Sequence, residues 1–310
     1  MKAIMYHYVR EKNDELPYFI YLDVNNFEKQ INYLKNKYKI IDKDEFENCL
    51  KTKKTIPNSI ILTFDDGLSD HYKYVYPILK QNNLWGIFYI STFPYKDKTL
   101  LDVHRIHYLL GKYDGDEVLF HLLNIISEVD FIPSVIEKFK NKTYINQDND
   151  EAFTKVKQIV NYYIKPEKRT NILKLLMEEF KEDEKKISKH YYLNKKQILE
   201  MIEGGMSIGS HSHTHTILSN LSYEKQKLEI EISKKILSNL CNNKEFNSFC
   251  YPYGGKHSYD KNTLSILNDT SYNSAFSVES RDITVSDLKN KYELPRYDCN
   301  EFKYGKATKG

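Results

Sequence analysis

Ile60-Ile-Leu-Thr-Phe-Asp-Asp-Gly67 is an apolar run that ends in two adjacent carboxylates and a glycine. The run is continuous rather than alternating, the pattern of a strand in a sheet covered on both faces. Successive side chains of a strand point to opposite faces. A strand alone therefore cannot aim Asp65 and Asp66 at one point, whereas a turn beginning at Gly67 can. Two acids at a strand end invite a division of labour, with one holding a cation and the other moving protons.

On either side of this stretch the chain alternates between strand and helix patterns. Residues 2–6 read as a short buried strand, and 26–38 carry Phe27, Ile31, Leu34 and Tyr38 at helical spacing. Residues 70–81 read as a helix and 86–90 as the next strand. This rhythm predicts an α/β fold with a parallel sheet. It breaks over 98–193, which reads as mostly helical and highly charged, with amphipathic stretches at 156–164 and 172–180 and a polar loop at 146–151. We expect a helical insertion there, within one domain spanning 1–310. The α/β pattern resumes with a helix over 195–203, stopped by Gly204-Gly205, and a strand over 206–209. A helix over 222–240 follows, then strands at 247–251, 275–278 and 292–294.

Composition narrows the function. The chain has 310 residues, 40% of them hydrophobic, with 26 Tyr and 15 Phe, so a sizeable core is expected. The net charge is only +3, which is not the footprint of a nucleic-acid binder. Cys49, Cys241, Cys250 and Cys299 are scattered without a C-x-x-C pair, and are expected as reduced, partly buried thiols. There is no signal-peptide pattern at the N-terminus and no run of about 18 apolar residues for a membrane span. The expectation is a cytoplasmic protein without a transmembrane segment. Oligomeric state is not legible.

Gly209-Ser-His-Ser-His-Thr-His215 supplies the imidazoles that a cation held by an acid needs. His211 and His215 are four apart, the spacing of one face of a helical turn. Imidazole with carboxylate suits zinc and its neighbours, with nickel, cobalt and iron as alternatives. Asp66, His211 and His215 form the expected ligand set, and three protein ligands leave a position open, as in catalytic sites. His213 is expected to point away. His104 and His107 are three apart on a predicted helix, and are candidates to line a substrate cleft.

Thr63-Phe-Asp-Asp-Gly67, His211-Ser-His-Thr-His215 and Tyr251-Pro-Tyr-Gly254 occur in an order that resembles the polysaccharide deacetylases of the carbohydrate esterase type. The resemblance covers 1–97 and 194–300. It implies a distorted (β/α) barrel of about seven strands, here with the helical insertion, and hydrolysis of N-acyl groups, N-acetyl above all, on amino-sugars. It implies Asp65 as general base and Asp66 as metal ligand, with Tyr251 and Tyr253 at the oxyanion or substrate side. The arginine that many members carry at the start of the third motif is replaced by Phe249-Cys250, and the late aspartate–tryptophan and Leu-x-His motifs are absent. Met5-Tyr-His-Tyr-Val9 and Leu294-Pro-Arg-Tyr-Asp298 resemble the permuted branch that deacetylates poly-N-acetylglucosamine. From that likeness His7 is carried over as the acid, and Arg296 as the partner that orients Asp65.

The substrate implied is an N-acylated amino-sugar in surface glycan metabolism, nucleotide-linked, lipid-linked or oligomeric. Two rival readings stand beside it. One is a deformylase or other C–N hydrolase on the same fold, which the acid released would distinguish. The other is a carbohydrate-binding protein without turnover, which a His7 remote from the metal ligands would favour.

Overall fold

A computed structural model describes residues 1–132 and 151–310. Residues 146–150 of the expected polar loop lie outside the described residues. The described chain forms two compact units. One comprises 1–11, 21–98 and 189–308, and the other comprises 12–20, 99–188 and 309–310.

The first unit is built on parallel strands. In chain order they are β1 (Lys2–Tyr6), β2 (Val9–Arg10), β3 (Ile20–Asp23), β4 (Lys39–Ile40), β5 (Ser59–Phe64), β6 (Ile87–Ile90), β7 (Ser207–Ser210), β8 (Ser248–Cys250), β9 (Ser274–Phe276) and β10 (Tyr297–Asp298). The main sheet runs β10-β1-β5-β6-β7-β8-β9, with β4 also on β5, and β2 pairs with β3 elsewhere. Leu294 makes a parallel bridge to Phe276 of β9, just before β10 pairs with β1. Residues 294–298 thus reach both ends of the seven-strand order, as a distorted (β/α) barrel requires.

Both faces of β5 are covered, which is why its sequence does not alternate. Ile60, Leu62 and Phe64 pack with Phe27, Ile31, Leu34, Leu79 and Phe88 in one cluster. Ile61 faces the opposite way, into a cluster with Ala3, Ile87, Tyr89, Cys250 and Phe276. A slip of one residue would exchange the two sets, so the register is strongly specified. That register sets the site. Tyr6 pairs with Phe64 and Ile90 with Ser210. His7, Asp65 and His211 therefore leave the same, carboxyl-terminal edge of the sheet.

Most expected elements of this unit lie where the apolar periodicity puts them. The helix Lys195–Glu203 stops at Gly204, whose N–H donates to Glu200, and Gly205 follows at φ +91°. The stretch 70–81 is helical as expected, with a π-helical turn, His71–Val75, ahead of the α-helix Tyr76–Gln81. One expectation fails. The strand expected at 292–294 is reduced to the single bridge at Leu294, and the pairing strand lies later, at Tyr297–Asp298. Pro295 has no N–H to continue the ladder between them.

The second unit is helical. It contains Asp102–Lys112, Gly115–Ile125, Glu151–Gln158 and Pro166–Glu179, with Leu109, Leu122, Val156, Leu173 and Leu176 buried. Among the described residues no helix is long and apolar enough to cross a membrane. All four cysteines are free thiols, with Cys49, Cys241 and Cys250 buried.

Candidate active site

Asp65 follows β5 with the parity of Ile61 and Thr63, so it faces inward and is 2% exposed. Its backbone N–H donates to the Tyr6 carbonyl (2.9 Å), extending the ladder with β1. Asp66 then turns at φ +81° and Gly67 at φ +66°. The reversal begins one residue earlier than the glycine suggested, and it brings the second acid to the same edge.

The histidine segment corrects a local expectation. Residues 211–215 form a loop, not a helical turn, with Ser212 at φ +62° and His215 at φ +58°. The four-residue spacing nevertheless brings the rings together, with centroids 4.8 Å apart. The His211 Nε2 atom lies 3.5 Å from Asp66 Oδ1, and the His215 Nε2 atom 3.4 Å from the same oxygen.

These separations bear on whether the set fits a cation. Ligand bonds of about 2.0–2.1 Å in a tetrahedral shell put ligand atoms about 3.3–3.4 Å apart. The two Asp66–imidazole distances match that edge. His211 is also prepared: Nδ1 lies 2.8 Å from the Cys250 carbonyl, which can only accept, so Nδ1 carries the proton and Nε2 offers its lone pair toward Asp66. Burial holds the His211 pKa down to about 4, so the ring is neutral. The set fits a divalent ion such as zinc.

Asp65, His211 and Cys250 form a second close group. Here a cation is already in place: the Arg296 guanidinium. Its Nη1 and Nη2 donate to Asp65 Oδ1 and Oδ2, both at 2.7 Å. Nη1 also donates to Thr63 Oγ1 (3.0 Å), Nη2 to Cys250 Sγ (2.9 Å) and Nε to the Ser277 carbonyl (3.2 Å). Burial opposes the charge on Asp65, but Arg296 outweighs it and holds the carboxyl at about 2. Burial keeps Cys250 a thiol, well above the usual thiol range.

His7 also lies near Asp65, with Nε2 3.9 Å from Oδ2 and a side chain 40% exposed. Tyr253 sits at φ +63°, its ring 5.3 Å from that of His215. Gly254 follows at φ +68°, where a Cβ would meet Val278 Cγ2 at 2.3 Å. Tyr251 is 1% exposed, stacked on Tyr259 and donating its hydroxyl to the Tyr292 carbonyl (2.7 Å). His104 is fully buried on the helix Asp102–Lys112 of the helical unit, its ring 6.2 Å from that of His107. His213 turns from the triad to Thr92 Oγ1 (2.9 Å) and the edge of Phe93.

Left-handed backbone at Asp66, Ser212, His215 and Tyr253 costs about 1–3 kcal/mol each and persists only where surroundings enforce it. One enforcing group escaped the sequence reading. Glu229, on the helix Tyr223–Leu240, accepts from the His213 N–H (3.1 Å), the Thr214 N–H (2.8 Å) and Thr214 Oγ1 (2.8 Å). Ser233 adds a bond to the Ser212 carbonyl (2.9 Å). In sequence, Glu229 is one charged residue among several on an amphipathic helix. Only the tertiary fold shows that it grips the ligand loop.

Comparison with known proteins agrees with this geometry. The family model for polysaccharide deacetylase matches residues 52–107 and 171–275, more than half of the chain. YxkH of Bacillus subtilis (strain 168), assigned to the polysaccharide deacetylases, is 30% identical over 95 residues, 31% of this chain and 33% of that protein. The chain thus spans about a third of the length of the curated relative it matches. The Streptococcus pyogenes deacetylase PplD, solved with acetate, superposes with a TM-score of 0.58 at 17% identity, covering 96% of this chain and 91% of that one. IcaB of Ammonifex degensii gives 0.53 at 14% identity, covering 95% and 89%. At such identities the two structures speak for the fold. The matched segments carry Asp65, Asp66, His211, His215 and Cys250, and on that family match the chain belongs to the polysaccharide deacetylase family.

Proposed function

We propose that this protein is a metal-dependent N-deacetylase acting on an N-acetylated amino-sugar of a glycan, with the arrangement of the poly-N-acetylglucosamine branch. One observation carries the reading. Asp66, His211 and His215 converge beside Asp65, which is clamped by Arg296 and faced by His7.

Asp66, His211 and His215 would hold the ion, which polarises the acyl carbonyl and acidifies water when bound. Arg296 keeps Asp65 ionised and fixes its plane, while a carboxylate retains acceptor directions beyond the two that a guanidinium fork uses. Asp65 accepts the proton of the attacking water. The imidazole of His7, partly exposed beside Asp65, gives a proton to the departing amine. The backbone at Tyr253 contributes to holding the tetrahedral oxyanion, an interaction commonly worth about 3 kcal/mol per donor.

The test is acid release from N-acetyl- and N-formyl-glucosamine oligomers by zinc-loaded protein. Acetate release that requires both zinc and Asp65 supports the reading. Formate from the formyl series alone moves it to a deformylase, and binding without release of either acid overturns it.

A further inference from the structure

His71 has no part in the chemistry described above, yet it is fully buried directly beneath it. Its ring packs against the stacked pair Phe64 and Phe88, with centroids 5.7 and 5.6 Å away. A phenylalanine would suit such a slot on hydrophobic grounds. The histidine instead leaves Nδ1 buried without a hydrogen-bond partner among the described residues. An unmet buried polar atom costs about 1–3 kcal/mol, so a compensating contact is called for. That contact is Nε2, 2.8 Å from the main-chain carbonyl of His7. A carbonyl only accepts, so Nε2 carries the proton and donates. Burial holds the pKa at about 4, which keeps the ring neutral and the donor in place.

The bond completes a row. The Tyr6 carbonyl accepts from Asp65 N–H and the Tyr8 carbonyl from Leu22 N–H, both at 2.9 Å. Between them, where β1 has ended, the His7 carbonyl is held by His71. The π-helical turn His71–Val75 opens at this residue, and the Tyr76 N–H closes it on the His71 carbonyl. Such turns recur at functional sites because the extra residue re-aims a side chain.

We infer that His71 is a positioning residue: its Nε2–H fixes the main chain at His7 and so aims the imidazole that protonates the leaving amine. The inference rests on the deacetylase reading and extends it. It predicts a split between substrates. An amide nitrogen departs only with a proton, whereas the phenolate of 4-nitrophenyl acetate departs without one. Loss of His71 should therefore slow amides far more than the activated ester. Misplacing a catalytic group by about 1 Å commonly costs about 100-fold.

The experiment compares wild type, His71→Phe and His71→Gln on N-acetylglucosamine oligomers and on 4-nitrophenyl acetate, with bound zinc measured in each. Wild type must first release acetate from the oligomer; failure there overturns the functional reading and this inference with it. Given that activity, His71→Phe should lose about 10- to 100-fold in kcat on the oligomer, with ester turnover within about 3-fold and zinc retained. His71→Gln, which places an amide N–H near the position of Nε2, should recover most of the loss. Equal losses on both substrates, or no loss on either, overturn the positioning role while the deacetylase reading stands. In nitrogen NMR of the wild type, the Nε2–H tautomer of His71 supports the contact, and the Nδ1–H tautomer overturns it.

Discussion

Arg296 in the strand-rich unit and Arg105 in the helical unit are both 1% exposed, and both are paired with carboxylates. Arg296 lays its fork on one acid, Asp65, and spends its other donors on Thr63, Cys250 and Ser277. Arg105 divides itself between Asp102 and Glu184. Those acids have further partners: Asp102 accepts from Thr170 Oγ1 (2.8 Å) and Glu184 from the Leu100 N–H (2.7 Å). The helical pair is a closed knot that ties segments together. The pair at the sheet edge leaves Asp65 facing His7 and the Asp66–imidazole group. The same buried residue type is structural where the carboxylates are used up within the knot. It becomes part of a reactive arrangement where one acid keeps a side toward neighbouring groups.

Removing the acid on each side gives the largest contrast. Asp65→Asn should lower acetate release by about 10³-fold or more while keeping bound metal. Glu184→Gln should leave turnover per folded molecule within about 2-fold. Steady-state rates corrected for the folded fraction check both, and comparable losses would erase the distinction.

Removing the helical arginine comes next. Arg105→Met leaves Asp102 and Glu184 without their counter-charge, and breaking a buried pair costs about 3–5 kcal/mol. Urea unfolding should show a lowered midpoint, with zinc binding by the surviving native protein unchanged.

The pH dependence sharpens the comparison further. Burial works against the charged Asp65, Arg296 outweighs it, and the native pKa of about 2 lies below the ordinary 3.8. A depressed carboxylate contributes stability that is complete above its unfolded value and lost as pH falls through its native one. The contribution is on the order of 2 kcal/mol. The stability gap between wild type and Arg296→Met should therefore narrow between pH 4 and pH 2, as read from urea midpoints. A gap constant over that window would mean that the pair does not hold the carboxyl down.

The smallest effect calibrates the rest. Lys43 and Glu47 lie 3.9 Å apart with both side chains 50% exposed. Glu47→Gln should shift stability by no more than about 0.5 kcal/mol, and that shift should vanish at high salt.

What could be read from the sequence follows the range of each interaction. The run Ile60–Phe64 was legible as a doubly covered strand because both flanking clusters leave their mark on the run itself. The Lys195–Glu203 helix was legible because its apolar spacing and stop lie within one window. The loop at 211–215 was not, since H-x-x-x-H spacing suits a helical turn as well as a loop with two left-handed residues. The π-helical turn at 71–75 adds one residue without destroying the apolar pattern. Arg296 meets Asp65 across 231 residues, so no local window holds the pair, and only the family likeness pointed to it. Glu229 left no trace that separates it from its solvated neighbours.

The central claim is that one ion is gripped by Asp66, His211 and His215 while Asp65 remains outside the ligand set. Zinc titration of wild type, Asp65→Asn and Asp66→Asn, followed by calorimetry and metal analysis, tests it most directly. The account predicts one ion per chain for wild type and for Asp65→Asn, with affinities within about 10-fold of each other, and no stoichiometric ion for Asp66→Asn. A wild type that takes up no zinc, or an Asp65→Asn protein that loses the ion as Asp66→Asn does, would contradict it.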